Sequence, residues 1–446
     1  MKGLLFTYLL TYGGAATCLF RPYYGFLIYV CFSIIKPPAL WFWTVGTGGY
    51  YSRIIGIALL AGWLVNGCGN WNLGRAKMIL FCLFGFWGWM AVSTAMAPPT
   101  VQGYLEVENY AKIVLPLFAG LTLINTPADI WKLVWVIVAS TGYVAYEYNV
   151  HYYSGGDADR FLSLDGNSLS IALMAGCGIA FYCGLFLQRG WRRWLLFLMA
   201  ALIAHVPMAS MSRGGMLGLV AMAVVSFILM PKTKAFLAFY GLAFAVGLYL
   251  AGPSVTEEFR STFHDANEWE NEQFGRLFMW KACFEEMMKH PVFGCGQDRW
   301  PLVVEGYGFK QGKEAHSLWA QTAAELGVPG ICFLLGFYLC TIWLLWRHSR
   351  LGLDLEHTGL SKAVILGLVG YMTSASFVTV SGFEIPYYVA LVGAALVKLS
   401  EPANPDVQYP ASEQALLAQH PGMFQYGTVD VSNTPADSLG SRGLYR

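Results

Sequence analysis

The sequence predicts an all-α protein that crosses a membrane about twelve or thirteen times. Of its 446 residues, 56% are hydrophobic and 12% are charged, whereas soluble domains carry about 25% charged residues. Its apolar runs approach the roughly 20 residues that a helix needs to cross a hydrocarbon core of about 30 Å. They lack the alternation of membrane β-strands, so we expect helices as the spanning structure. Sixteen Trp and twenty-five Tyr are typical of the aromatic belts of multi-span proteins.

The apolar runs give thirteen candidate spans, or twelve if the first two form a short hairpin around Arg21 and Pro22. They lie near 3–20, 24–35, 51–66, 76–96, 109–124, 129–149, 166–187, 194–210, 214–230, 235–251, 318–346, 363–379 and 384–400. We divide the chain into an N-terminal bundle (1–251), a polar loop (252–317), C-terminal spans (318–400) and a tail (401–446). The tail is rich in Pro, Ser, Asn, Gln and Asp, a composition that predicts disorder.

The placement of Lys and Arg predicts which loops face the cytoplasm. Under a simple zigzag, the most basic loops fall on one side, which we assign to the cytoplasm: 75–77, 189–193, 232–234 and 347–350. The polar loop then faces outward. So do the shorter loops at 36–50, 97–108, 150–165, 211–213 and 380–384.

Five basic residues lie on or near the side that this rule disfavours: Lys36, Arg53, Lys112, Arg160 and Arg213. A charge inside hydrocarbon costs roughly 2.5–3.5 kcal/mol even on insertion scales, so such a residue usually has a partner or a function. The alternative is that the side chain extends to the interface along its own apolar stem. We favour that alternative for Lys36 and Arg53.

The polar loop 252–317 is the only long polar stretch before the tail. It contains eleven Asp and Glu but seven Lys and Arg, a net charge of −4. Bulk charge therefore does not attract phosphate here, and any phosphate site must be built from a few selected arginines. The loop has no HExxH or DxD spacing, so we predict neither a metal site nor a cofactor.

Arg213 lies in SMSRGG, an outward turn between two apolar runs. Ser212 can cap the following helix, and the two glycines allow close backbone approach. A guanidinium at a helix N-terminus adds to the positive end of the helix dipole. That position is unfavourable for stability but favourable for holding an anion.

Arg276 begins a predicted helix of about fourteen residues that ends at His290 and Pro291, where proline stops it. Its apolar face consists of Leu277, Trp280, Phe284 and Met287 or Met288. Such a helix should lie at the membrane interface, with this face against lipid or the bundle. The pattern alone explains Arg276 equally well as a solvated residue of the first turn.

His316 lies at the end of the polar loop, immediately before the next apolar run, and Glu314 precedes it by two residues. Near the lipid headgroups, an imidazole can titrate close to neutrality. A single His is more often structural than catalytic, so the residue pattern leaves both interpretations open.

Three stretches together resemble the O-antigen ligase and polymerase superfamily of bacterial envelope membrane proteins. They are SMSRGG around Arg213, FGRLFMWKACFEEMMKHPVFGCG from Phe274 to Gly296, and AHSLWAQTAAELGVPG from Ala315 to Gly330. The N-terminal half is similar to a sub-branch, the exosortase-associated O-glycosylation ligases, through RPYYG at 21–25 and RFLSLDGN at 160–167. The second of these stretches departs from the Asp-Asn-Asn of that branch.

The resemblance implies a glycosyltransferase at the periplasmic face of the bacterial inner membrane. Its donor would be a polyprenyl-diphosphate-linked glycan and its acceptor a hydroxyl of lipid A–core or of a protein. Transfer would invert the anomeric carbon without a metal or cofactor. The expected partners are therefore this donor, the acceptor and the bilayer, and the net charge of +1 argues against nucleic acid.

The resemblance assigns diphosphate binding to Arg213 and Arg276. It assigns activation of the acceptor hydroxyl to His316, with Glu314 orienting that residue or serving as base itself. We expect three further residues to support the site: Trp280, Arg160 and Lys112.

Three other functions stay open at this point. A polymerase of the same superfamily differs only in its acceptor, which is another lipid-linked glycan. A transporter of lipid-linked glycans would more typically carry its functional charges in mid-span, whereas the polar residues here gather at one surface. A non-catalytic assembly partner is the third alternative.

Overall fold

The computed structural model describes residues 2–46, 49–156, 161–162, 164–230, 233–234, 237–238, 240–242, 245, 275–350, 355–379 and 382–400. Helices make up the described regular structure, and its strand-like pairing is an isolated bridge between Phe161 and Leu164. The predicted all-α class is confirmed. Four predictions fall wholly or mainly outside the described residues: the span at 235–251, the start of the polar loop, Arg160 and the disorder of the tail 401–446.

The N-terminal half contains twelve described helices, several of them joined with little intervening chain. They are α1 (Lys2–Tyr8), α2 (Gly14–Phe20), α3 (Pro22–Ile35), α4 (Pro37–Leu40), α5 (Phe42–Val45), α6 (Tyr51–Val65), α7 (Ala76–Met96), α8 (Val101–Leu123), α9 (Pro127–Tyr153), α10 (Gly166–Tyr182), α11 (Gly190–Ala209) and α12 (Arg213–Leu229). A π-helical turn, Leu9–Gly13, joins α1 to α2, and a second, Cys183–Leu187, extends α10.

The described C-terminal half contains two long helices, one of medium length and two that belong to the polar loop. In chain order they are α13 (Arg276–Lys289), α14 (Trp300–Val303), α15 (Leu318–His348), α16 (Leu355–Ser374) and α17 (Glu384–Ser400). A 3₁₀ turn, Val304–Tyr307, follows α14. The chain up to Leu399 forms one compact unit.

Seven described helical segments are long and apolar enough to cross a bilayer. They are Gly3–Phe20, Pro22–Leu40, Ala76–Met96, Pro127–Tyr153, Gly166–Leu187, Gly190–Ala209 and Leu318–His348. Tyr51–Val65 and Arg213–Leu229 are apolar but shorter. This set makes the chain a multi-pass membrane protein, while the full count of twelve or thirteen spans stays a prediction.

The core of the bundle is built around α10, the most buried of the seven long segments. Its Gly178 faces Gly367 on α16, where a β-carbon would lie 2.5 Å from the neighbouring Cα. Small residues at a helix crossing let two backbones approach closely, which is how membrane helices gain packing energy without a hydrophobic driving force. The central helices are therefore packed backbone to backbone.

A buried lysine binds backbone carbonyl groups at the C-terminal end of α8. The ammonium of Lys398, on α17, donates to the carbonyl oxygens of Leu121 at 2.8 Å and Ile124 at 2.7 Å. The last carbonyls of a helix have no partner within the helix, and a cation there also complements the helix dipole. Lys398 thus fills the role of a C-terminal cap from a distant part of the chain.

Three of the basic residues that the charge rule disfavours have carboxylate partners. Lys36 lies 3.2 Å from Glu384, Arg53 lies 2.6 Å from Glu108, and Lys112 lies 3.2 Å from the same Glu108. These ion pairs replace the interpretation of Lys36 and Arg53 as side chains that merely extend to the interface. They account for the three charges by pairing within the bundle.

Candidate active site

The long helix α15 is broken near its start, and the loop after α13 fills the break. Gly327 has φ +67° and ψ −168°, a backbone conformation that residues other than glycine rarely adopt. A β-carbon at Gly327 would also lie 2.6 Å from the carbonyl oxygen of Pro291. That same oxygen accepts a hydrogen bond from the backbone N–H of Val328 at 2.8 Å. The break is therefore a built feature of this fold.

Two more backbone hydrogen bonds hold the loop in the break. Cys295 N donates to the carbonyl of Ala324 at 2.9 Å, and Gly296 N donates to that of Glu325 at 2.8 Å. They satisfy carbonyls that an unbroken helix would have used itself. The HPVFGCG and ELGVPG motifs, about 30 residues apart, are thus the two halves of one structural unit.

His316 lies in a tightly held turn immediately before α15. Its φ is +49°, a left-handed conformation that costs about 1–3 kcal/mol unless the surroundings impose it. The preceding residue, Ala315, is fully buried; its N–H donates to Gln321 Oε1 and its carbonyl accepts from Trp280 Nε1, both at 3.1 Å. Ser317 then caps α15 by accepting from Ala320 N. The neighbouring peptides therefore hold the His316 turn in place.

Arg213 and Arg276 are each the first residue of a helix, α12 and α13. Ser212 caps α12 as expected, its Oγ accepting from Gly215 N at 3.2 Å. The N-cap of α13 is Gly275, which has no side chain to accept from the first N–H groups. Both helix starts therefore combine a guanidinium with the positive end of a helix dipole.

Phe377 lies between these two helix starts. A β-carbon at Gly214, next to Arg213, would lie 2.9 Å from Phe377 Cβ, so the glycine allows this close contact. On its other side, Phe377 lies 6.2 Å from Trp280, measured between ring centroids. The pKa of Arg276 is lowered, first by desolvation and then by the charge of Arg213. The two guanidinium groups are thus electrostatic neighbours.

His316 is an exposed residue, and Arg276 is one of its charged neighbours. Its pKa is lowered mainly by desolvation from the surrounding protein, although the ring keeps solvent contact. Repulsion by Arg276 and Lys313 lowers that pKa further, and Asp165 opposes the shift. As the pH falls through about 6.5, the ordinary pKa of histidine, this imidazole therefore stays neutral to a lower pH than a free histidine would.

Glu314 has the opposite shift. Desolvation raises its pKa, and the carboxylates of Asp165 and Asp298 raise it further. The described structure gives no hydrogen bond between Glu314 and His316, so orientation of the imidazole by Glu314 is not supported. A carboxyl with a raised pKa can still serve as a proton acceptor closer to neutrality.

Five of the seven residues predicted for the site come together: Arg213, Arg276, Trp280, Glu314 and His316. Trp280 contributes through its hydrogen bond to Ala315. Lys112 does not join them, because its ammonium is held on α8 by Glu108 and by Asn109 at 2.9 Å. Arg160 lies outside the described residues. Within the described part of the chain, no group of His, Cys, Asp or Glu side chains could hold a metal ion.

The buried face of α13 differs from the predicted one. Its buried residues are Met279, Ala282, Cys283, Glu286 and Met287. Leu277, Phe284 and Met288 are exposed instead, on the opposite side. Of the predicted face, Trp280 is partly buried and Met287 is buried, so this face is divided between the bundle and the exposed side, and its contact with lipid stays a prediction. Both sides of this helix are apolar, and packing against α15 decides which side is buried.

Sequence reasoning missed four residues near His316: Asp165, Lys313, Gln321 and Glu325. Asp165 caps α10 by accepting from Ser168 N at 2.8 Å, a local role that hides its proximity to the site. Gln321 and Glu325 did leave a signal, since two polar residues four apart in an apolar run lie on one helix face.

Part of the chain is similar to a known protein family. Residues 198–335 match the model of a family described as O-Antigen ligase. The matched region contains both arginines, Glu314, His316 and the helix break. No curated protein matches the chain significantly.

Proposed function

The match over residues 198–335 supports the O-antigen ligase and polymerase superfamily, and on that premise we propose that this protein transfers a glycan from a polyprenyl-diphosphate carrier to an acceptor hydroxyl. The observation that carries the proposal is that Arg276, at the start of α13, is a charged neighbour both of Arg213, at the start of α12, and of His316. The site faces the periplasm from the bacterial inner membrane, in the orientation that the Lys and Arg distribution predicts.

The two helix starts bind the diphosphate. A guanidinium matches phosphate oxygens in a bidentate geometry, and the N–H groups at a helix N-terminus point at an anion. Because Gly275 offers no side-chain cap, the first N–H groups of α13 are available to the phosphate. This local arrangement supports phosphate binding in a loop whose net charge is negative.

His316 acts as the base. The acceptor oxygen attacks the anomeric carbon, the bond from that carbon to the diphosphate oxygen breaks, and the hydroxyl proton passes to the imidazole. The lowered pKa favours this role because a base must be unprotonated before it can accept. Glu314 is the alternative base. Attack opposite the leaving group inverts the anomeric configuration.

The arginines contribute most at the transition state. The diphosphate oxygen gains negative charge as the glycosidic bond breaks, so fixed cations bind the transition state more tightly than the ground state. The base contributes about 10²–10⁴-fold to the rate. Both contributions depend on the same rigid arrangement of α12, α13 and the His316 turn.

The test is transfer by the purified full-length protein in proteoliposomes that contain a polyprenyl-diphosphate glycan on the accessible face. We expect wild-type protein to transfer the glycan with inversion, and His316→Ala to lose at least about a hundredfold in rate. The matched control is His290→Ala, an exposed histidine of the same loop. Wild-type transfer rates in His316→Ala would contradict the assignment of the base. Transfer in this format, where no lipid has to cross the bilayer, argues against a transporter.

The acceptor is decided by what accumulates in cells that lack the protein. We expect full-length glycan on the lipid carrier, since a ligase acts after chain growth is complete, with lipid A–core or a protein left unmodified. Single repeat units on the carrier would instead identify a polymerase. Unchanged carrier lipids and normal glycan attachment would contradict both.

A further inference from the structure

Gln321 links the His316 turn to the interior of α15. Its side chain is 6% exposed. The amide oxygen accepts from Ala315 N at 3.1 Å and from Thr379 Oγ1 at 2.9 Å, and the amide nitrogen donates to Glu325 Oε1 at 3.0 Å. Because a backbone N–H can only donate, the oxygen must face Ala315 and the nitrogen must face Glu325. The chemistry of the partners thus fixes the orientation of this amide.

Glu325 holds the other end of the link. It is 2% exposed, and its Oε1 also accepts from the backbone N–H of Trp300 at 3.3 Å. A buried carboxylate must be hydrogen-bonded to be tolerated, and when ionised it can only accept. Its backbone carbonyl meanwhile accepts from Gly296 in the helix break. Glu325 therefore connects the break, the Trp300 segment and the Gln321 amide.

The direction of the His316 ring depends on this link. Within the described residues, no hydrogen bond is made by the imidazole itself. Its direction therefore follows from the backbone, whose preceding peptide is held by Gln321 on the N–H side and Trp280 on the carbonyl side. We infer that Gln321, oriented by Glu325, is a positioning residue that aims the imidazole of His316 at the acceptor. The inference takes the role of His316 from the proposed function.

Loss of the link would change the surroundings of the ring. The charged groups that face His316 are Arg276 from α13, Lys313 from its own loop and Asp165 from the start of α10. A relaxed turn leaves the ring more solvated and further from the two cations. Both changes raise the pKa of His316, because desolvation and cationic repulsion are what lower it.

The first experiment needs no transfer activity. Full-length protein in nanodiscs is treated with diethyl pyrocarbonate across a pH series, and modification of the His316 peptide is followed by mass spectrometry. We expect the pH midpoint in Gln321→Ala to rise by about half a unit to one unit. The matched control is Thr322→Val, a buried neighbour on the same helix turn, which should keep the wild-type midpoint.

The second experiment measures transfer by the same variants. Gln321→Ala should lower kcat by about 10- to 100-fold, since displacing a catalytic group by about 1 Å can lower the rate by that much. The KM for the donor should change less than about twofold, because the arginines are unaffected. The acid limb of the kcat profile should move to higher pH. Partial unfolding would instead lower the amplitude without moving the limb.

A reciprocal exchange of Gln321 and Glu325 tests the same inference even if Gln321→Ala folds poorly. Gln321→Glu alone puts two carboxylates together and should lose activity. The double variant Gln321→Glu with Glu325→Gln restores the hydrogen bond between the two side chains and the acceptor for Ala315 N, but it turns an amide nitrogen toward the Trp300 N–H. It should therefore recover part of kcat and move the midpoint back toward the wild-type value. A wild-type midpoint in both Gln321→Ala and Gln321→Glu would overturn the inference. If wild-type protein shows no transfer, the proposed function fails, and the midpoint alone then decides the role of Gln321.

Discussion

Two groups of basic side chains in this protein have opposite electrostatic surroundings. In the first group, the paired cations, Arg53 and Lys112 share the carboxylate of Glu108, and Lys36 faces Glu384. Each of these three cations has a carboxylate partner, although two of them share one. Their placement is explained by pairing, and they require no ligand.

In the second group, the clustered cations, like charges face one another. Arg213 lowers the pKa of Arg276, and Arg276 and Lys313 lower that of His316. Bringing like charges together destabilises a fold. An anionic ligand bound among these groups would reduce the repulsion between them. The contrast separates structural cations from those we assign to the diphosphate.

The largest expected effect comes from removing one guanidinium from the clustered cations, with the same change among the paired cations as its control. Arg276→Ala should lower kcat/KM for the donor by about 10²–10³-fold, because it removes a bidentate contact to a charge that grows in the transition state. Arg53→Ala is the matched control and should stay within about twofold of wild type. Both are measured in the same proteoliposome assay. Equal losses in the two variants would break the distinction between the groups.

The helix break at Gly327 should help to position the clustered cations but not the paired cations. Gly327→Ala puts a β-carbon against the Pro291 carbonyl at a positive φ, so it should loosen the loop that follows α13. We expect at least about tenfold lower kcat/KM and a Tm lower by several degrees. Gly306→Ala is the control, since open space surrounds that position. Normal transfer by Gly327→Ala would show that the break does not support the site.

The pH dependence tests the clustered cations without a mutation. The kcat/KM profile reports the free enzyme, where the lowered pKa of His316 keeps the base unprotonated to below about pH 6.5. A bound diphosphate offsets the two cations and raises that pKa. The acid limb of kcat should therefore lie at higher pH than that of kcat/KM, by up to about one unit. Coincident limbs would contradict this coupling.

The smallest effect is expected among the paired cations. Glu384→Gln removes the partner of Lys36, and a partly exposed ion pair is worth roughly 0–1 kcal/mol. Thermal unfolding in detergent should show a correspondingly small decrease in Tm, with kcat within about twofold of wild type. A large loss of transfer would move Lys36 and Glu384 into the functional group.

Local signals carried the successful part of the sequence analysis. The helix Arg276–Lys289 has its predicted first residue and ends at His290 as predicted, because the proline that follows His290 stops the helix. Ser212 likewise caps α12 as predicted. The all-α class followed from a strong constraint, since backbone groups in lipid must be satisfied within the segment.

Contacts between distant parts of the chain could not be predicted from the sequence. The run 318–346 reads as one uninterrupted span, and its break at Gly327 depends on a loop about 30 residues earlier. The buried face of α13 depends on what packs against it, because both of its faces are apolar. Asp165 caps α10, and its charge reaches Glu314 only because folding brings the two residues near each other.

The lysine that caps α8 has a consequence for the order of assembly. Lys398 lies 277 residues after Leu121, whose carbonyl it binds. Chains are made from the N-terminus, so α8 is synthesised long before this ammonium exists. Until α17 arrives, the last carbonyls of α8 need another partner. The early helices therefore reach their final packing only after the C-terminal helix joins them, and a ribosome-bound chain stopped before Lys398 should hold α8 in a less protected state.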